Sequence, residues 1–186
     1  MKKKTRMAFC GTALAMLTVL GAAPARAAVT RVDPAAAMSA CRQSVGGVTA
    51  RVHVGPRDLG QFAGLAGSPV EGQIAQGAVV RVRASGRISY GGVFNWRGTW
   101  GPAGNGNRAP GNFPYPGGPD AALFGTWNQT LARFPIGTDS GCLWVPNATL
   151  NRAPYAIYLA TNDDWRDDNG DIGYDATVTA WRYFGA

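Results

Sequence analysis

Val48-Thr49-Ala50-Arg51-Val52-His53-Val54 alternates without a break, with Val48, Ala50, Val52 and Val54 on one side and Thr49, Arg51 and His53 on the other. A period of two marks a half-buried strand, because successive side chains point to opposite faces of a sheet. Gly55-Pro56 ends the run. Ala78-Val79-Val80-Arg81-Val82-Arg83-Ala84 repeats the pattern, with Val80, Val82 and Ala84 inward and Arg81 and Arg83 outward. Leu131–Ile136, Cys142–Val145, Tyr155–Ala160 and Asp175–Phe184 are further short β candidates. The chain carries 26 Gly and 12 Pro, and these punctuate it throughout. Short strands separated by turn residues predict an all-β sandwich or barrel.

Upstream of the first strand, Asp33-Pro34-Ala35-Ala36-Ala37-Met38-Ser39-Ala40-Cys41 reads as a short helix. Asp33 suits the cap, Pro34 the first helical position, and Gly46-Gly47 the stop. Further upstream stand Lys2, Lys3, Lys4 and Arg6, an apolar run from Met7 to about Ala23, and Ala25-Arg26-Ala27. This is the pattern of a secretory signal peptide, residues 1–27, cleaved after Ala27. The apolar run is too short for a membrane span. Residues 28–186 are then expected to form one β-sandwich domain, secreted or periplasmic.

Residues 1–27 hold five of the 18 basic residues and none of the 11 acidic ones, so the remainder has 13 Arg against 11 acids, a net of +2. The basic balance of the whole chain belongs mostly to its leader, and no nucleic-acid partner is expected. Cys10 leaves with the leader. Cys41 and Cys142 remain, and in an exported chain an isolated pair is most simply a disulfide; two separate buried thiols are the alternative.

The negative charge is concentrated late. Asn162-Asp163-Asp164-Trp165-Arg166-Asp167-Asp168-Asn169-Gly170-Asp171-Ile172-Gly173-Tyr174, with Asp175 after it, holds six of the 11 acids. Like charges this close repel, more strongly if folding draws them out of water. The loop is therefore expected either to stay open to solvent or to hold a cation. Oxygens of Asp163, Asp168 and Asn169 without His or Cys select a hard ion, Ca²⁺ before Mg²⁺. A solvated Asp/Asn/Gly turn is the plainer reading of the same composition. His53, the single histidine of the chain, falls on the polar face of its strand and reads as a surface residue.

Gly101 to Gly118 has no strand period and contains four prolines with Phe113 and Tyr115. Loops of this length inside a domain tend to be functional. Exposed aromatics here would suit a sugar ring; otherwise Phe113 and Tyr115 pin the loop to the sandwich. Enzyme signatures are missing: there is no Gly-x-Ser-x-Gly, no His-Glu-x-x-His and no phosphate loop before a helix. Glu71 is the single glutamate, and no Asp spacing favours the paired carboxylates of a glycosidase. A non-catalytic protein is expected.

Three places together resemble the calcium-dependent PA-I galactophilic lectin family and its galactose-binding-domain-like jelly-roll relatives. The first is Gly77 to Gly86 followed by Ser89-Tyr90-Gly91, similar to that family's strand, turn and Ser-Tyr-Gly. The second is Trp100-Gly101-Pro102-Ala103-Gly104 before a long loop, and the third is Asn162-Asp163 with Asp168-Asn169 between the last strands. The resemblance spans roughly residues 77–183 and implies a jelly-roll β-sandwich. It implies a calcium ion held by the Tyr90 carbonyl, Asp163, Asp168 and Asn169, with an oxygen of Arg166 or Asp167 completing the shell. Sugar hydroxyls would join the same ion, with Asn112, Asp163, Asp164 and Asn169 as ligand-binding residues and a galactoside or other glycan as partner. Where the family has a His before a Pro and then a Gln, this chain has Ala109 before Pro110 and then Asn112, so galactose specificity does not carry over. A homo-oligomer would strengthen a weak single site. Trp181, Tyr183 and Phe184 at the chain end suit either a subunit contact or the core. The competing function class is a structural or protein-interaction sandwich in which calcium only stiffens the loop.

Overall fold

A computed structural model describes residues 34–58, 61–62, 74, 78–90, 98–127, 132–145, 156–165, 167 and 169–181. The expected leader and Asp33 lie outside these ranges. Helix α1 spans Pro34–Gln43. Its end is closed by the Ser44 and Val45 amides donating to Cys41 and Ala40 carbonyls.

Nine strands follow among the described residues, β1 (Val48–Val54), β2 (Gln61–Phe62), β3 (Val79–Ser89), β4 (Thr99–Trp100), β5 (Leu123–Trp127), β6 (Arg133–Pro135), β7 (Leu143–Trp144), β8 (Ile157–Thr161) and β9 (Gly170–Trp181). They build two antiparallel sheets. One has the order β1-β9-β3-β4 with β7 also paired to β3; the other runs β2-β8-β5-β6. First pairs with last, second with next to last, and β3 with β7. This nested wrapping is that of a jelly roll.

The sandwich forms because the alternating strands have one apolar face each to hide. Val54, Val80, Val82, Tyr174, Ala176 and Val178 from the larger sheet meet Leu123, Trp127, Ile157 and Leu159 from the smaller one in one continuous core. β1 follows its predicted phase, Thr49, Arg51 and His53 being exposed and Val54 fully buried. Val79, expected on no particular face, is buried on the outer side of the larger sheet. There α1 covers it together with Ala37, Cys41 and Trp181. Trp181 is thus packed under α1, while Tyr183 and Phe184 lie outside the described residues. The Cys41–Cys142 disulfide forms across a separation of 101 residues and ties α1 to the residue before β7.

Two expectations need correction. The turn expected at Gly86 is absent, because β3 runs on through it to Ser89, paired along its length with β9. Gly86 and Gly173 take φ of +98° and +101°. A Cβ on Gly86 would collide with the Gly173 carbonyl, and one on Gly173 with that of Val54. The register slips between Arg87 and Ser89, bringing Ser89 opposite Gly170. The expected loop Asn162–Tyr174 is only half a loop: β9 begins at Gly170, so Asp171 and Asp175 belong to a strand.

His53 stands on the exposed face with Nδ1 2.8 Å from Asp175 Oδ1. Hydrogen bonding to Asp175 raises its pKa above 6.5. The folded value exceeds the unfolded one. The small stabilisation is therefore complete below pH 6.5 and lost as pH rises through the raised value; solvent exposure keeps it slight. Proton NMR titration should return a value above that of a free histidine, falling back in Asp175→Asn.

Candidate functional site

The acidic segment between β8 and β9 is tied down by Asn162. Its Oδ1 accepts from the Tyr115 amide at 2.9 Å, and its Nδ2 donates to the Tyr115 and Pro119 carbonyls at 3.0 and 2.9 Å. Its backbone exchanges hydrogen bonds with Ala121 and Ala122. One side chain therefore clamps the long loop Gly101–Gly118 against the start of the acidic loop. That use of Asn162 has no separate signal in the sequence.

Beyond this clamp the chain turns inward. Asp163 is 2% exposed and Asn169 1%, while Asp164 and Asp167 are exposed. The segment is thus neither wide open nor uniformly charged at the surface. Its first carboxylate is buried, an arrangement that is costly unless compensated. Asp163 Oδ1 accepts from the Trp165 amide at 3.2 Å and Oδ2 from Asn169 Nδ2 at 2.6 Å. Asn169 Nδ2 also donates to the Pro56 carbonyl at 3.0 Å, and the Asn169 carbonyl accepts from Arg57 Nε at 3.1 Å. Asn169 Oδ1 is buried and meets no donor among the described residues.

Tyr90 directly follows β3 and lies beside this pair. Ser89 faces Gly170 across the β3–β9 ladder, so Tyr90 and Asn169 are the next residues outward on adjoining chains. Its side chain is buried with Ala109, Phe113 and Ala121, leaving its backbone as the part relevant to the site. Asn112 is also near: its Nδ2 donates to Asp164 Oδ2 at 2.7 Å, linking the tip of the long loop to the acidic loop. The predicted residues Asn112, Asp163, Asp164 and Asn169 are thus joined by hydrogen bonds in two neighbouring pairs. Asp168 and Arg166 lie outside the described residues. Among those described, no three His, Cys, Asp or Glu side chains gather as a metal cluster. Any cation here would have to rely on amide and carbonyl oxygens as well as carboxylate. Asp163, the orphaned Asn169 oxygen and the Tyr90 carbonyl fit that chemistry, since calcium accepts such mixed oxygen shells.

The aromatics of the long loop face inward. Phe113 is 6% exposed, and the Tyr115 ring packs on Phe124 with centroids 5.9 Å apart. With Phe113 buried and Tyr115 half-buried, they pin the loop, which is the second of the two alternatives for these aromatics. Ala109 is buried in the same cluster, so this position presents no side chain to a ligand at the surface. Trp165 does: it is 68% exposed, next to Asp163 and Asp164. Its role has no signal in the sequence, because a tryptophan between charges carries no period.

These features define an all-β jelly-roll sandwich with a polar site made by two loops at one rim. No protein-family model matches the chain, and no curated protein matches it. Among solved structures it is similar to one described as an EclA N-terminal domain, a PllA-like lectin. The identity is 17% over 73% of this chain and 95% of the other, with a TM-score of 0.44. A likeness at that level does not bear on function. Among the described residues no helix is long and apolar enough to cross a membrane.

Proposed function

We propose that this chain is an exported, non-catalytic carbohydrate-binding protein whose Asn162–Asn169 loop takes up a calcium ion. The observation that carries the reading is the buried Asp163–Asn169 pair, a carboxylate beside an amide oxygen that has no donor among the described residues. A hard cation supplies the missing partner for such an oxygen and offsets the buried charge. Tyr90 through its carbonyl, Asp163 and Asn169 are the proposed ligands, with Asp168 added by the motif likeness. When bound, calcium would exchange water for sugar hydroxyls. The chain's own part is to orient that sugar, with the linked Asn112 and Asp164 offering polar contacts and the Trp165 face a platform. Buried Ala109 speaks against a preference for galactose by the route the lectin resemblance suggested.

Titration calorimetry on the chelator-treated chain from residue 28 tests the metal. Calcium binding tighter than about 1 mM is expected, and no heat in that range removes the mechanism. A glycan array at saturating calcium tests the sugar, with signals expected to vanish on chelation. Trp165→Ala should weaken a positive glycan about tenfold and leave calcium binding unchanged. A blank array, with calcium still raising the melting temperature, would instead favour a structural or protein-interaction sandwich.

A further inference from the structure

Among the described residues, the outer face of the larger sheet is partly covered by α1 and otherwise open. Strand register sets its rows: Thr49, Thr179 and Arg81 stand abreast on β1, β9 and β3, and Arg51, Thr177 and Arg83 form the next row. Trp144 pairs with Val79 and so shares this face, with 47% of its surface exposed. Between α1 and β7 lies a cleft of about 510 Å³ walled by Met38, Arg42, Arg81, Cys142 and Trp144. That size is in the range of small-ligand sites. Arg81 also lines a smaller hollow of about 150 Å³ with Ser44, Arg83, Thr177 and Thr179. The two hollows share Arg81 as a wall, and together they make the candidate groove.

Its charge is unbalanced. Asp139 receives Arg81 through two hydrogen bonds, Nε to Oδ1 at 2.8 Å and Nη2 to Oδ2 at 2.5 Å, and lies 3.4 Å from Arg83 Nε. Two guanidinium groups thus share one carboxylate. Ser44 Oγ accepts from both, from Arg81 Nη1 and Arg83 Nη2 at 3.2 Å each, and holds them side by side. Arg42 in the last turn of α1 adds a further cation to the wall, in no ion pair among the described residues. Like charges held together in advance of binding favour an anion, since the ordering cost is already met.

We propose that this groove is a second, calcium-independent site for an acidic saccharide. The sugar ring lies on the Trp144 indole, its carboxylate or sulfate meets Arg42 and the Arg81–Arg83 pair, and its hydroxyls reach Thr177 and Thr179. An indole face beside guanidinium groups suits a ligand with an apolar ring face and an anionic group on the same unit. A uronic or sulfated sugar has both; a bare inorganic anion lacks the ring. The groove lies toward the Trp181 end of β9, roughly 30 Å along the strand from the acidic loop at its start, so each site can bind or fail independently.

The test is fluorescence titration of the chain from residue 28 in chelator at low salt. The probes are an oligogalacturonate, a heparin-derived oligosaccharide, and a neutral malto-oligosaccharide as control. At least one acidic probe is expected to bind with a Kd below about 1 mM, to weaken as salt rises, and to exceed the neutral control. Binding of the oligogalacturonate shows that a carboxylate suffices, and binding of the heparin-derived probe alone shows that sulfate is needed. Trp144→Ala and Arg42→Ala should each weaken it about tenfold, with melting temperature and calcium response unchanged. The proposal is overturned if neither acidic probe binds, if both variants bind as the parent does, or if single-stranded DNA binds equally well.

Discussion

Replacing Cys41 and Cys142 together by alanine is expected to lower the melting temperature by roughly 10–20 °C. The bridge closes a separation of 101 residues. In the chain-entropy account, a loop of that length is worth about 4–5 kcal/mol. A chain of this size loses about 2–4 °C for each kcal/mol. Geometry adds a second consequence. Cys41, on the inner side of α1, is fully buried against Val79 and Trp181, and Cys142 walls the outer cleft. Without the bridge α1 is no longer cross-linked to the start of β7, so affinity for the acidic probe should fall along with stability. Differential scanning calorimetry of the variant and the parent measures the first effect. A shift under about 3 °C would show that the denatured chain gains little freedom from losing the bridge.

Asp163→Asn is expected to abolish the calcium response while leaving the fold nearly as stable as the metal-free parent. The side chain is buried, and it is the carboxylate that accepts from the Trp165 amide and from Asn169. Asparagine keeps an oxygen for Trp165 and gives up the charge a cation needs. It also sets two amide groups against each other at Asn169, at a cost of about 1 kcal/mol. At a calcium concentration a hundred times its Kd, the parent should gain about 2.7 kcal/mol, read as a rise in melting temperature. The variant should show no rise. An Asp163→Asn chain whose melting temperature still climbs with calcium would place the ion elsewhere.

The residues that revealed themselves early are those whose environment is one-sided. β1 is half buried, so its alternation in sequence copies its alternation in space. Arg81 and Arg83 on β3 point outward for the same reason. β5 was not expected, although Leu123, Phe124, Gly125, Thr126 and Trp127 are all buried. It is paired on both edges, by β8 and β6. One side contributes Leu123 and Trp127 to the core, and on the other Tyr115 of the long loop covers Phe124. A strand buried on both faces has no period to show. β2 and β4, of two residues each, are too short to show one either.

The acidic loop divides along the same line. That charge gathers between Asp163 and Asp175, and that oxygens rather than imidazoles are offered there, is a property of composition. Which of those oxygens leave water is not. The register slip near Gly86 and Gly173 puts Ser89 opposite Gly170, and so sets Tyr90 beside Asn169. The Asn162 clamp then turns Asp163 inward and leaves Asp164 and Trp165 outside.

From the sequence alone came the strand phase, the helix, the cysteine pair and the chemical character of the late loop, because each depends on neighbours along the chain. The buried Asp163–Asn169 pair, the inward Phe113 and Tyr115, and the groove joining Arg42, Arg81 and Trp144 depend on tertiary structure. Their partners lie from six to more than a hundred positions apart, and only the pairing of strands brings them within hydrogen-bonding or packing distance.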